Sequence, residues 1–192
     1  MISRKAVTAY MPTSKHDQRL PPWLLKHGAN PDLPDAVGTS PMFYVAGYGS
    51  LATLRLLFGH DAKVDSNALF AIIRKRKSDD PERILMVLSK GADINILRKK
   101  ERRLSSNALT HNRLLRHTPL WEAVKARDVE TGEFLIRNEA DVNLRILVND
   151  IERSSPLEEM LASPCVELRE ITMSINKGES LAHVQGGASG DK

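Results

Sequence analysis

The chain has one cysteine, Cys165, in 192 residues, so no disulfide can close within it. Nothing in its cysteine usage speaks for an oxidising compartment. Aromatic residues are scarce, at 5%. No apolar run approaches the roughly 18 residues that a membrane-crossing helix needs. The basic start Met1-Ile2-Ser3-Arg4-Lys5 is not followed by an apolar stretch of signal-peptide length. Phosphate-binding glycine loops, dinucleotide fingerprints and serine-nucleophile motifs are all missing. His16, His111, His117 and His183 have no metal-ligand spacing, and His27 and His60 stand 33 residues apart. An enzyme reading therefore has nothing to rest on, and no cofactor or metal is expected. His27 and His60 read better as polar residues at helix ends.

What the chain does have is repetition. Ser89-Lys90-Gly91-Ala92-Asp93-Ile94-Asn95 reads as a helix end, a glycine stop and a short polar exit. The phrase returns at His27-Gly28-Ala29-Asn30, at Asp61-Ala62-Lys63-Val64-Asp65 and at Glu139-Ala140-Asp141-Val142-Asn143, with a degenerate copy at Lys177-Gly178-Glu179. Its alanines stand 33, 30 and 48 residues apart. A second phrase opens a helix between these markers: Ser40-Pro41-Met42-Phe43, Asn67-Ala68-Leu69-Phe70, Thr118-Pro119-Leu120-Trp121 and Ser155-Pro156-Leu157-Glu158. From its first residue to the helix stop the distances are 21, 24, 21 and 23 residues. Two phrases at nearly fixed separation identify a repeat architecture.

The repeat spacing, Thr118-Pro119-Leu120 and Gly91-Ala92-Asp93-Ile94-Asn95 resemble the ankyrin repeat family over roughly residues 20 to 180. The resemblance implies an all-α fold, an ankyrin-repeat solenoid of stacked helix pairs with short β-hairpin fingers. About four units are recognisable, plus a partial one at the start. A flexible segment is expected at 1–14, the repeat domain at 15–182 and a disordered tail at 183–192. The implied function is that of a non-catalytic protein-binding scaffold, intracellular in the cytoplasm or nucleus. Contact would be made through a concave face and the fingers.

The repeats depart from the family pattern in places that matter. Six residues of a finger are absent between Val64 and Asn67, and Arg74 to Ser78 is about three residues longer than the pattern. Asp80-Pro81-Glu82 reads as the next helix cap. Fifteen extra residues fall between Asn95 and Thr118. Asp61 and Glu139 stand where glycine is usual, and Gly132 lies inside a helix, each at a cost of about 1 kcal/mol. Trp23, Leu24 and Leu25 make an apolar start rather than a polar end cap. This admits a piece of a longer array, or an end buried against a partner. In the last repeat Val166, Ile171 and Ile175 are expected in the core, with Cys165 a buried or half-buried helix residue.

The contact positions implied by the resemblance are Ala36, Val37, Thr39 and Tyr48 in the first full repeat and Glu122, Lys125 and Ala126 in the third. The insertion (97–117) adds Arg98, Lys99, Lys100, Arg102 and Arg103. With Arg113 and Arg116, residues 98–117 hold seven cations against one acid, Glu101. Such a stretch suits an acidic protein, an import receptor, nucleic acid or an anionic surface, or is plain solvated surface. Arg74-Lys75-Arg76-Lys77 is a second cluster, with Asp79, Asp80 and Glu82 close enough to neutralise it. Neither cluster has an interleaved aromatic, which weakens a single-strand nucleic-acid reading. Phe43, Phe70 and Trp121 share one repeat position and read as core. A protein partner of unknown identity is the leading expectation, ahead of nucleic acid or a chain without independent function.

Overall fold

The computed structural model describes residues 20–36, 38–102, 113–163 and 165–176. The expected flexible start, the tail and the copy at Gly178 lie outside these residues. The chain divides into two compact units, one up to Ile94 and one from Asn95. The first holds α1 (Leu20–Lys26), α2 (Pro41–Tyr48), α3 (Leu51–Gly59), α4 (Ala68–Lys75) and α5 (Asp80–Ser89). In the second are β1 (Arg98–Arg102), β2 (Arg113–His117), α6 (Pro119–Lys125), α7 (Val129–Arg137), β3 (Leu147–Val148), β4 (Ile151–Glu152), α8 (Pro156–Leu161) and α9 (Val166–Asn176). The described residues are mostly helical, with short strands in fingers.

The recurring phrase is one piece of backbone geometry. Its stop residue is left-handed in all four copies, with φ of 79° at Gly28, 56° at Asp61, 91° at Gly91 and 69° at Glu139. The N–H of the alanine that follows reaches back five residues each time: Ala29 to Leu24, Ala62 to Leu57, Ala92 to Val87 and Ala140 to Leu135, at 3.0–3.2 Å. The stop residue's own N–H donates three residues back, to Leu25, Phe58, Leu88 and Ile136. Together these bonds satisfy carbonyls that a helix end leaves open. Asp61 and Glu139 hold the turn without glycine, as the spacing predicts.

The polar exits then join one repeat to the next. The N–H of Lys63 donates to Asp32 Oδ1 (2.7 Å), that of Asp93 to Ser66 Oγ (2.9 Å), and that of Asp141 to Asn95 Oδ1 (2.8 Å). Each donor is the residue after a marker alanine. The left-handed stop turns this N–H toward the preceding repeat.

Helix starts follow the sequence with two corrections. Ser40, Thr118 and Ser155 accept from the N–H three residues on, at 3.1–3.2 Å, and Ser155 and Glu158 close a capping box. Asn67 makes no such cap, because without the finger the chain enters α4 already in a helical turn. Asp65 accepts from its N–H instead. Asp80 is not the cap of α5: that position falls to Asp79, and the Asp80 carboxylate accepts from the Lys77 N–H at 2.7 Å.

In the first unit α2 and α4 approach closely. A Cβ placed on Gly47 would stand 3.1 Å from the Ala71 Cβ and carbonyl oxygen, so a larger residue would force the helices apart. Six consecutive residues of α4, Ala68 to Ile73, are buried. Met42, Val45, Leu54, Leu57, Ile84 and Val87 complete this core, and Leu24 and Leu25 of the apolar start are buried too. In the second unit Leu120, Ala123, Leu135, Met160, Leu168 and Ile171 are buried. Val166 does not join them. It is 52% exposed, and Leu168 and Thr172 take the inward positions on α9. The Ile175 side chain lies outside those described. Cys165 is half-buried and precedes α9 rather than belonging to it; its thiol donates to Glu167 Oε2 at 2.9 Å.

A cation sits in the first unit's core. Arg83 on α5 is 1% exposed. Its guanidinium donates to the carbonyls of Ala46 (3.0 Å) and Gly49 (2.9 Å) at the end of α2, and pairs with Asp79 at 2.8 Å. The Lys77 ammonium donates to the same Gly49 carbonyl at 2.7 Å. Burial, then the nearby Arg83 charge, pulls the Lys77 pKa below its usual value. Two cations thus close a helix C-terminus whose carbonyls carry partial negative charge. Replacing Arg83 by Ala removes the donor from two carbonyls and a carboxylate; a loss on the order of 3 kcal/mol is expected by urea denaturation.

The hydrogen bond from Arg83 is the main reason Asp79 ionises below the ordinary 3.8, against the opposing effect of partial burial. A carboxyl whose pKa is lower in the folded chain stabilises it above the unfolded pKa. That contribution is lost as pH falls through the folded pKa. In Asp79→Asn the fall of stability with acidity is expected to be shallower below about pH 4. An unchanged slope in urea titrations across that range would contradict the assignment.

Candidate protein-binding surface

The enlarged stretch contributes two paired strands of a finger. Strand β1 pairs with β2 antiparallel over five residues, from Arg98 opposite His117 to Arg102 opposite Arg113, with no bulge. β2 then pairs with β3, and β3 with β4, so two fingers share one four-stranded sheet in the order β1-β2-β3-β4. The β3–β4 turn uses Asn149 and Asp150, both left-handed at φ 53° and 62°. That is the geometry two-residue hairpins prefer, and Asn and Asp tolerate it better than most residues. The pattern Val148-Asn149-Asp150-Ile151 announces this finger in the sequence, and the repeat phrases passed over it. At its tip Asp150 pairs with Arg116 of β2 at 3.3 Å.

Register sets cation against cation. Lys99 lies opposite Arg116 and Arg102 opposite Arg113, while Glu101 lies opposite Leu114. Like charges directly across a ladder destabilise it.

Where the long finger meets α6, charged side chains pair with one another. His117, the last residue of β2, is buried; its Nε2 is 2.8 Å from Glu122 Oε2, and its ring meets Trp121 edge-on at 5.1 Å. The Lys125 ammonium pairs with Glu159 and lies 5.5 Å from the Trp121 ring. Ser154 donates to the other Glu159 oxygen at 2.5 Å. Partial burial pushes the Glu159 pKa up, but the bonds from Lys125 and Ser154 outweigh it and hold the carboxyl below its usual range. Beside them Arg145 bridges the Arg153 carbonyl and Glu158.

The sequence model described as Ankyrin repeat matches residues 116–146, from the end of β2 through the α6–α7 pair to the edge of the next finger. The crystal structure of the human ASB11 ankyrin repeat domain is similar in fold, with a TM-score of 0.55 at 20% sequence identity. The chain has the fold of an ankyrin repeat domain and carries a matched ankyrin repeat at 116–146. The match covers 83% of this chain and 63% of the ASB11 domain, so the chain spans less than two thirds of that domain's length. No curated protein matches the sequence.

The contact positions expected from the resemblance fall in both units. In the first, Asp35 clasps a turn: its carboxylate accepts from the Thr39 N–H (2.8 Å) and the Tyr44 hydroxyl (2.7 Å), and that second bond raises the Tyr44 pKa ahead of burial. Ala36 is exposed on this turn and Thr39 is half-buried, while Val37 lies outside the described residues. Tyr48 is exposed, with the Lys75 ammonium 4.0 Å from its ring centroid. The basic cluster 74–77 therefore has an aromatic neighbour that its sequence did not show. Of its nearby groups, Lys77 donates to the Gly49 carbonyl, Asp79 pairs with Arg83, and Glu82 pairs with Arg55.

In the second unit Ala126 and Lys125 are exposed, and Glu122 is half-buried with its carboxylate on His117. Arg98, Lys99, Lys100 and Arg102 form β1, and Arg103 lies outside the described residues. Of the shared aromatic position, Phe70 is fully buried, while Phe43 and Trp121 are half-buried. His27 closes a helix end by donating from Nδ1 to the Trp23 carbonyl (2.7 Å) and stacks on the Trp23 ring at 4.1 Å. His60 supplies the cap residue of α3. Among the described residues no group of three His, Cys, Asp or Glu side chains could hold a metal, and no helix is long and apolar enough to cross a membrane.

Replacing Lys99 by Thr removes a cation opposite Arg116 and places a strong strand former in β1. Stability is expected to rise by about 0.5 kcal/mol, read from the urea midpoint at constant slope.

Proposed function

We propose that this chain is a non-catalytic intracellular module, its repeat region 15–182 binding a protein partner through the expected concave face and the fingers. Ankyrin repeats are generally protein-interaction modules, and that coarse role follows from the fold. The observation that carries the finer reading is the sheet of two joined fingers, whose outermost strand holds four cations and one acid in five residues. In the first unit, Ala36, Val37, Thr39 and Tyr48 supply contacts. In the second, Glu122, Lys125 and Ala126 act with Arg98 to Arg103. Lys125 gives up its bond to Glu159 only for a partner carboxylate that replaces it. Glu122 acts mainly by holding His117 and the root of the long finger.

Affinity capture from cell lysate at about 0.05 M and 0.2 M salt tests this. Two variants run beside the natural chain: one with Arg98, Lys99, Lys100, Arg102 and Arg103 changed to Ser, the other with Tyr48→Ala and Lys125→Ala. One protein held by the natural chain at both salts and lost with Tyr48→Ala and Lys125→Ala is the expected result. Capture of nucleic acid that disappears with salt and with the Ser variant would replace this reading by one centred on the insertion. Retention of nothing would leave the chain without an independent binding role.

A further inference from the structure

We infer that the outer edge of β1 is a docking site for an extended acidic peptide segment of a protein partner, which adds to the finger sheet as a fifth strand. The inference rests on the protein-binding reading above and names its chemistry. Sheet order leaves β1 with a strand neighbour on one side. Five residues in unbroken register, with no proline and no bulge, form a regular edge. Edges of this kind are templates for strand addition, and proteins usually blunt them by shortening, bulging or covering them. Among the described residues β1 is neither shortened nor bulged. It has charge.

Charge on an edge strand, lysine above all, also protects against aggregation. Arg98-Lys99-Lys100-Glu101-Arg102 carries four cations, and two of them lie opposite further cations of β2 in the ladder. Those oppositions weaken the hairpin without helping it fold. The same charge selects the occupant. A second copy of β1 would bring cations against cations, whereas an acidic strand places carboxylates beside them. The Arg116–Asp150 pair shows this sheet already taking a carboxylate from a neighbouring strand turn. Backbone pairing would supply the affinity and the cation rows the choice of partner.

The test uses the full chain and a fluorescent peptide of about twelve residues in which Glu alternates with Val and Thr. One control carries N-methyl groups on alternate amides, which keeps every charge and removes the donors of one edge. Another replaces Glu by Lys. The expected result is a dissociation constant in the micromolar range for the Glu peptide, at least about tenfold weaker binding of the N-methylated form, and no binding of the Lys form. Amide hydrogen exchange at residues 99–102 should slow when the peptide is present. The double variant Lys99→Thr, Arg102→Thr should bind at least about tenfold more weakly while unfolding at no lower urea concentration, a combination that a purely structural role does not give.

Equal binding of the N-methylated peptide would overturn strand addition, and a dissociation constant above about 1 mM would overturn the site. Concentration-dependent self-association through β1, lost in the double variant, would assign the edge to a second copy and overturn it equally. A partner captured from lysate and still held by the Ser variant would sink this inference while leaving the protein-binding reading in place.

Discussion

The left-handed helix stop is the constraint on which the rest of the structure depends. At Gly28, Asp61, Gly91 and Glu139 one residue with positive φ lets the next alanine bond five residues back and swings the following segment out of the helix. That swing aims the N–H of Lys63, Asp93 and Asp141 at a side chain of the preceding repeat. A local turn thus becomes a join between repeats. It also explains why the phrase is polar after its alanine: Asp32, Ser66 and Asn95 are acceptors, and an apolar residue there would leave the backbone donor to water and lose the join.

Where the repeat pattern fails, polar groups replace it. The missing finger before α4 removes the usual cap, and Asp65 takes over Asn67 while also accepting from Ser40. The lengthened link after α4 carries Lys77 to the end of α2, and α5 supplies Arg83 to the same carbonyls. A buried guanidinium is tolerated because its charge is matched by Asp79 and its two terminal nitrogens donate to carbonyls.

The enlarged finger follows a different logic. Its strands oppose like charges, so the element is held by its backbone ladder, by its sharing of a sheet with β3 and β4, and by a buried root at His117, Glu122 and Trp121. The finger is thus anchored at its root and carries concentrated charge in its outermost strand. The first unit carries a smaller exposed feature of mixed character in Tyr48 and Lys75.

Sequence by itself determined the repeat architecture. Helix starts at Ser40, Thr118 and Ser155 and stops at Gly28, Asp61, Gly91 and Glu139 are local events, written by cap chemistry and by tolerance of positive φ, and these are legible residue by residue. The expected contact positions are places in the repeat that can be counted from the sequence. Their chemistry is not legible there. That Lys125 is held by Glu159, that Glu122 faces His117, and that Lys75 covers Tyr48 depend on how the folded backbone brings these side chains together. The buried Arg83 could not be found at all, because a cation inside an apolar helix pattern reads as a surface residue until the end of α2 is placed against it. The charge of the insertion stood in the sequence. That it forms the edge of a four-stranded sheet was decided by the pairing of β2 with β3, a contact between segments some thirty residues apart whose register no single strand specifies.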